Sequence, residues 1–252
     1  MNSPVNFIDR DGELPIFING NTEGDHERGN SVYWDTQILR TIANSGLPNP
    51  GGQVHYVDGI RGFRWFRGQK QMSNDRALVA SDRYIGGGME AKRDFNKILS
   101  MLERDPKTNK ITEKIQIYTH SRGAAFGAGY TDALLELIKK HADQFANPND
   151  VIDFVLNLAP HQSNSIDAPS GSNSFSIDHT WDGLSGNDMG NNISFQTSTK
   201  SGQLGESHKN KTFKTEVGAF IKAYQESKGD NNRLINSFIS RMRCYGIKVT
   251  VN

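Results

Sequence analysis

Apolar residues along the chain fall into two rhythms, short continuous runs and longer runs with a helical period. LPIFIN at Leu14–Asn19 is apolar on both faces and closes on Gly20 and Asn21, which predicts a strand sandwiched between helix layers. Ser31–Ala43 follows as a helix with Val32, Ile38, Leu39 and Ile42 as its apolar positions, and Val54–Asp58 as a second strand. Gly59–Gly88 shows no regular period and ends in Gly86, Gly87 and Gly88, read as a flexible hinge, since no P-loop lysine follows. In Met89–Leu102, Phe95, Ile98, Leu99 and Leu102 recur at i, i+3, i+4 and i+7, the stripe of an amphipathic helix.

Lys114–Tyr118 is the next strand, Ala124–His141 a long helix, and Val151–Leu158 a further strand. Ser163–Ser207 is rich in Ser, Gly and Asn. It reads as a long polar loop region crossed by one short strand at Ser174–Asp178. Phe213–Tyr224 and Leu234–Met242 are the closing helices. Strands alternating with helices imply right-handed crossovers, and so an α/β fold whose mainly parallel sheet carries helices on both faces. With no internal repeat and no dividing linker, residues 1–252 read as a single domain. Chemistry in such a sheet sits at the carboxyl ends of the strands.

Composition narrows the function. Across 252 residues, 29 Lys+Arg balance 28 Asp+Glu for a net charge of +1. No nucleic-acid partner is expected at that balance, because such binding needs surplus cations to displace counterions. Cys244 is the single cysteine, which excludes an internal disulfide framework and a cysteine-based zinc site. No apolar run is long enough to span a bilayer. MNSPVNFIDRDGELP lacks the basic and apolar regions of a cleavable signal, so the expectation is a cytoplasmic protein or one exported without such a signal. Oligomeric state and protein partners leave no mark on the sequence.

Candidate chemistry concentrates in Lys114–Gly129, KIQIYTHSRGAAFGAG. A strand runs into Thr119-His120-Ser121-Arg122-Gly123 and then into a helix of small residues. This resembles the nucleophile elbow of α/β-hydrolases, in which a serine on a strained turn projects its hydroxyl above the sheet. Thr119 stands where the pattern has its first glycine, while Gly123, Ala124, Ala125, Gly127 and Ala128 let the helix lie close. The competing reading is a tight turn whose Ser121 only caps the helix.

A serine hydroxyl attacks only when a base takes its proton and an acid orients that base. In the superfamily the acid and then the histidine follow the serine along the chain. The resemblance places the histidine at His208, in a polar loop ahead of the Phe213–Tyr224 helix, with His161 and His179 as alternatives. His141 lies at a solvated helix end. His120, next to the serine, points away from the catalytic side and is read as a packing or orienting residue. For the acid, Asp182 is first, where Ser176–Asp182 reads as a strand entering a turn closed by Gly183; Asp178 is second and Asp167 third. Each aspartate also has the plain reading of an Asx turn. The oxyanion donors would be the backbone N–H of Arg122 and that of Gly20 or Asn21, between which the sequence does not choose.

Ile60–Lys70, IRGFRWFRGQK, interleaves Arg61, Arg64, Arg67 and Lys70 with Phe63, Trp65 and Phe66. It reads as a lid or a patch touching a membrane surface, or as a loop whose aromatics pack on the sheet while its cations face water. Gripping single-stranded nucleic acid by stacking is a third reading, disfavoured by the charge balance.

Taken together, the elbow, the strand ending in Asn-Gly and the late histidine resemble the serine lipase/phospholipase branch of the α/β-hydrolases, over about Leu14 to Tyr224. The Thr-His-Ser-Arg-Gly form is most similar to lipase-like domains of bacterial secreted effectors and polymorphic toxins. The resemblance implies cleavage of carboxylic esters, of lipid or phospholipid type, by a Ser–His–Asp mechanism with no metal or organic cofactor. The competing class is a catalytically silent binding module on the same fold.

Overall fold

The computed structural model describes residues 12–47, 52–66, 69–73, 78–184, 188–199 and 206–252. Strand β1 (Glu13–Ile18) buries both faces. Leu14, Ile16 and Ile18 join one hydrophobic cluster and Phe17 the other, as alternation in a covered strand requires. Helix α1 (Thr36–Ala43), β2 (His55–Val57), the hairpin β3 (Gly62–Phe66) and β4 (Gln69–Ser73), and helix α2 (Ala80–Met101) follow. Next come β5 (Lys114–His120), α3 (Gly123–Lys140), β6 (Ile152–Leu158), β7 (Ser174–His179) and β8 (Ile193–Thr197). Helices α4 (Lys214–Ser227) and α5 (Asn231–Cys244) and strand β9 (Val249–Val251) close the chain.

Seven strands form one sheet in the order β2-β1-β5-β6-β7-β8-β9. Every pairing is parallel except that of β9 with β8. Helices α2 and α3 cover one face through Phe95, Ile98, Phe126 and Leu134. Helices α1, α4 and α5 cover the other through Ile38, Phe220 and Phe238. This is the expected α/β architecture, α/β-hydrolase-like and mainly parallel. From β1 the chain winds to one side, and from β5 it winds to the other. The carboxyl ends of β1 and β5 therefore flank the switch point where such sheets hold ligands. Among the described residues no helix is long and apolar enough to cross a membrane.

Several elements differ from expectation. The segment Ser31–Ala43 is not one helix. A 3₁₀ turn at Ser31–Tyr33 precedes α1, and Asp35 between them accepts hydrogen bonds from the amides of Gln37 and Ile38. That N-cap starts a fresh helix and leaves Val32 63% exposed. The polar region 163–207 carries β8 as well as β7, and the sheet ends in β9; β8 is a short strand with only Ile193 and Phe195 apolar, and β9 a three-residue edge strand, too short for a clear pattern.

The irregular stretch is instead a hairpin and the first part of α2. Ile60 and Phe63 are buried, and Arg61 pairs with Asp58 at 3.3 Å and Glu90 at 4.0 Å. This half of Ile60–Lys70 thus packs beside α2. Expectations for residues 67 and 68, and for the side chains of Trp65, Phe66 and Lys70, lie outside what is described.

The three glycines are no hinge. They sit inside α2, which runs against α3 almost main chain to main chain. A Cβ on Gly87 would fall on the Phe126 carbonyl oxygen and lie 2.8 Å from the Tyr130 nitrogen, and one on Gly129 would fall on the Tyr84 carbonyl oxygen. The cost of glycine in a helix is accepted here because no other residue permits the approach.

At the opposite end of the sheet, burial and then the neighbouring Asp153 push the Glu13 carboxyl up to about 8, against the partial relief of Lys114. The unfolded chain holds this proton less tightly, so the stability it confers below about pH 4.5 is lost as pH rises through about 8. Glu13→Gln is expected to raise Tm more at pH 9 than at pH 5. In thermal melts Gly87→Ala should cost about 1–3 kcal/mol or more. Gly88→Ala should be neutral or stabilising by up to about 1 kcal/mol, since its nearest neighbours would stand at 3.4 and 3.6 Å.

Candidate active site

At the end of β5 the chain makes its turn with Ser121 at φ 56°, a left-handed conformation that a serine holds only under constraint. The constraint is visible. The Ser121 N–H donates to the Leu158 carbonyl at 2.9 Å, and its own carbonyl accepts from Ala124 at 3.1 Å and His161 at 3.2 Å. A Cβ on Gly123 would stand 2.7 Å from the Asn19 oxygen, and one on Gly20 only 2.6 Å from the Ser121 Cβ. Three strands of main chain crowd the corner, which is why these positions are glycine.

Thr119, the departure from the small-residue pattern, has its own accommodation. Its methyl group occupies the space left by Gly127, where a Cβ would lie 2.6 Å from Thr119 Cγ2. Its hydroxyl donates to Asn157 Oδ1 at 2.7 Å, and Asn157 Nδ2 donates to the Phe175 carbonyl at 3.1 Å. This buried chain ties β5 to β6 and β7, the strands behind Ser121, His161 and Asp182.

The Ser121 hydroxyl donates to His208 Nε2 at 2.7 Å, and His208 Nδ1 donates to Asp182 Oδ2 at 2.7 Å. A carboxylate only accepts, so the imidazole proton sits on Nδ1 and Nε2 is left to receive the serine proton. Asp182 ends the turn after β7: its N–H donates to the His179 carbonyl at 2.9 Å, and its Oδ1 accepts from the Leu184 amide at 2.9 Å. Burial would raise its pKa, but hydrogen bonds from His208 and Leu184 outweigh that and hold the carboxyl below its ordinary value. Asp182 is therefore held as a carboxylate against the His208 ring.

The other candidates lie elsewhere. His179 is fully buried, stacked on Phe213 at 4.0 Å between ring centroids, with Nδ1 on the Ser207 carbonyl and Nε2 on Glu216. It holds the loop of His208 and stays away from the serine. Asp178 is buried within β7, opposite Gln196 of β8. Asp167 forms an isolated bridge with Gly190 beside Ser165 and Asn191, away from His208. His161 lines the cavity with its ring centroid 6.1 Å from that of His208, while its main-chain N–H, not its ring, meets Ser121. Burial, then Arg122 and His208, lower its pKa.

The cavity over Ser121 has a volume of about 610 Å³. Arg122, at the start of α3, lines it, and so does Asn21. Gly20 does not line it, and a Cβ at that position would lie 3.1 Å from the Tyr33 hydroxyl. Of the two open alternatives, Asn21 is the one that lines the cavity. Asn19 anchors this loop: its Oδ1 accepts from Gly29 at 2.8 Å, and its Nδ2 donates to the Gly20 carbonyl at 2.8 Å. No sequence signal singles out Tyr33 or Glu216, since each acts on residues distant in the chain and neither belongs to a recognisable spacing. Among the described residues no cluster of His, Cys, Asp and Glu could hold a metal ion.

No known protein-family model matches the chain, and no curated protein emerges as a relative.

The packing of Thr119 against Gly127 sets a test. Gly127→Ala should lower stability by about 1–3 kcal/mol. Adding Thr119→Ser, which removes the methyl and keeps the hydroxyl, should recover most of that loss in a double-mutant cycle of denaturation melts.

Proposed function

We propose that the protein is a serine hydrolase that cleaves carboxylic esters through an acyl-enzyme. The observation that carries this reading is the continuous pair of 2.7 Å hydrogen bonds from Ser121 Oγ to His208 and from His208 to Asp182, at the mouth of a cavity and at the sheet's switch point.

In this mechanism Ser121 Oγ bonds to the ester carbonyl carbon while its proton passes to His208 Nε2. Asp182 stabilises the imidazolium and keeps its orientation. The carbonyl oxygen takes up the negative charge and is received by the N–H groups of Arg122 and Asn21. As the tetrahedral centre collapses, the ester C–O bond breaks and His208 returns its proton to the departing alkoxide. Water then repeats the sequence on the acyl-serine, releasing the acid and restoring the serine.

The substrate class follows from the resemblance to lipases and phospholipases, as does the likeness to secreted effector domains. Two features of the cavity favour an ester with an apolar acyl group: Val32 is 63% exposed and Leu184 42% exposed, and both line it. Lys209 and Lys211 stand on the same rim.

A fluorophosphonate probe should label the wild-type chain on Ser121, and p-nitrophenyl butyrate should be hydrolysed. Ser121→Ala and His208→Ala should each abolish both. Asp182→Asn should lower kcat by about 10³–10⁴-fold, because an amide donor favours the wrong imidazole tautomer. Hydrolysis that survives Ser121→Ala would overturn the proposal.

A further inference from the structure

His120 lies beside the serine and, contrary to the expectation that it points away, lines the same cavity. It is only 4% exposed, and the rings of Trp34, Phe213 and His208 stand 6.4, 6.5 and 5.4 Å from it. A polar ring in such a cage needs partners for both nitrogens, and it has them. Its Nε2 lies 2.7 Å from the main-chain oxygen of His208, and its Nδ1 lies 2.5 Å from the Tyr33 hydroxyl.

A carbonyl can only accept, so Nε2 carries the proton. Nδ1 is then the acceptor and Tyr33 the donor. The Tyr33 hydroxyl also packs against the loop after β1, where a Cβ on Gly20 would lie 3.1 Å from it. Each donor in this chain has one acceptor: Tyr33 O–H to His120, and His120 N–H to the His208 carbonyl. Burial, and then the neighbouring His208, push the His120 pKa down to about 3. The ring thus stays neutral and the direction of the chain is fixed.

We propose that Tyr33 and His120 are positioning residues that join the loop bearing Asn21 to the main chain of His208. The inference rests on the serine-hydrolase reading and deepens it. The two groups that must meet the substrate carbonyl, an N–H after β1 and an imidazole after β8, come from segments far apart in sequence. Tyr33, half-buried, and His120, buried, stand between them and tie the segment after β1 to the His208 main chain. Misplacing a catalytic group by about 1 Å costs on the order of 10²-fold in rate, and partners behind such groups are commonly worth about 10–100-fold.

Glutamine can place its amide nitrogen near the position of imidazole Nε2, whereas asparagine is too short to reach the His208 carbonyl. In the full chain, His120→Asn should lower kcat for p-nitrophenyl butyrate by about 10–100-fold with KM within about twofold. His120→Gln should recover kcat to within about threefold, and Tyr33→Phe should fall between. Rates of fluorophosphonate labelling of Ser121 should follow kcat, while circular-dichroism melts confirm that each variant is folded. Histidine ¹⁵N NMR of the wild type should show a slowly exchanging downfield proton on His120 Nε2, absent in His120→Gln.

A reactive wild type whose folded His120→Asn variant labels equally fast overturns the positioning role alone. So does a His120 proton found on Nδ1. A wild type that shows the Nε2 proton yet takes no probe overturns the hydrolase reading, and the positioning role falls with it.

Discussion

Strand β5 and helix α3 meet at a corner where the main chains of Asn19-Gly20, Gly59 and Gly123 crowd one another around Ser121. The left-handed backbone of Ser121 can persist only because surrounding bonds over-determine it. Those bonds come from β6 through the Leu158 carbonyl and from α3 through Ala124. The same crowding brings the β1 loop within reach of the serine. Position and backbone strain at this corner therefore have one cause, close packing of main chain on main chain.

Around that corner the protein spends buried polar groups freely, which is costly unless each finds a partner. Thr119 and Asn157 link three strands beneath the site. His179 and His120 hold the carbonyls of Ser207 and His208 respectively. His208 thus sits on a short 3₁₀ turn, Glu206–His208, whose backbone is anchored at two successive residues. Loops carry chemistry well when a rigid scaffold positions them, and here the scaffold's grip on the loop consists of two imidazoles.

The contact of α2 with α3 applies the same principle on the far side of the sheet. Gly86, Gly87 and Gly88 look like a break because glycine disfavours helix. Yet the gain from bringing two helices into main-chain contact exceeds that local cost. Sequence periodicity could not show this, since a glycine carries no apolar signal and what it admits lies elsewhere in the chain, Gly62 of β3 for Gly86 and α3 for Gly87.

The strand–turn–helix around Ser121, the parallel α/β plan and the helices α3, α4 and α5 were legible locally. Strong apolar periods and small residues at fixed offsets determine them with little outside help. The placement of His208 on Ser121, and the selection of Asp182 over Asp178 and Asp167, belong to the tertiary structure. Adjacent residues on β7 and its turn point to different faces, and only the packed position of the Glu206–His208 turn decides which carboxylate it meets. Likewise Asn19-Gly20-Asn21 was recognisable as a turn after a strand, but only the packed structure shows that Asn21, and not Gly20, lines the cavity. A chain's own pattern fixes what each segment becomes; which side chains then meet is settled by close packing between segments that share no local spacing.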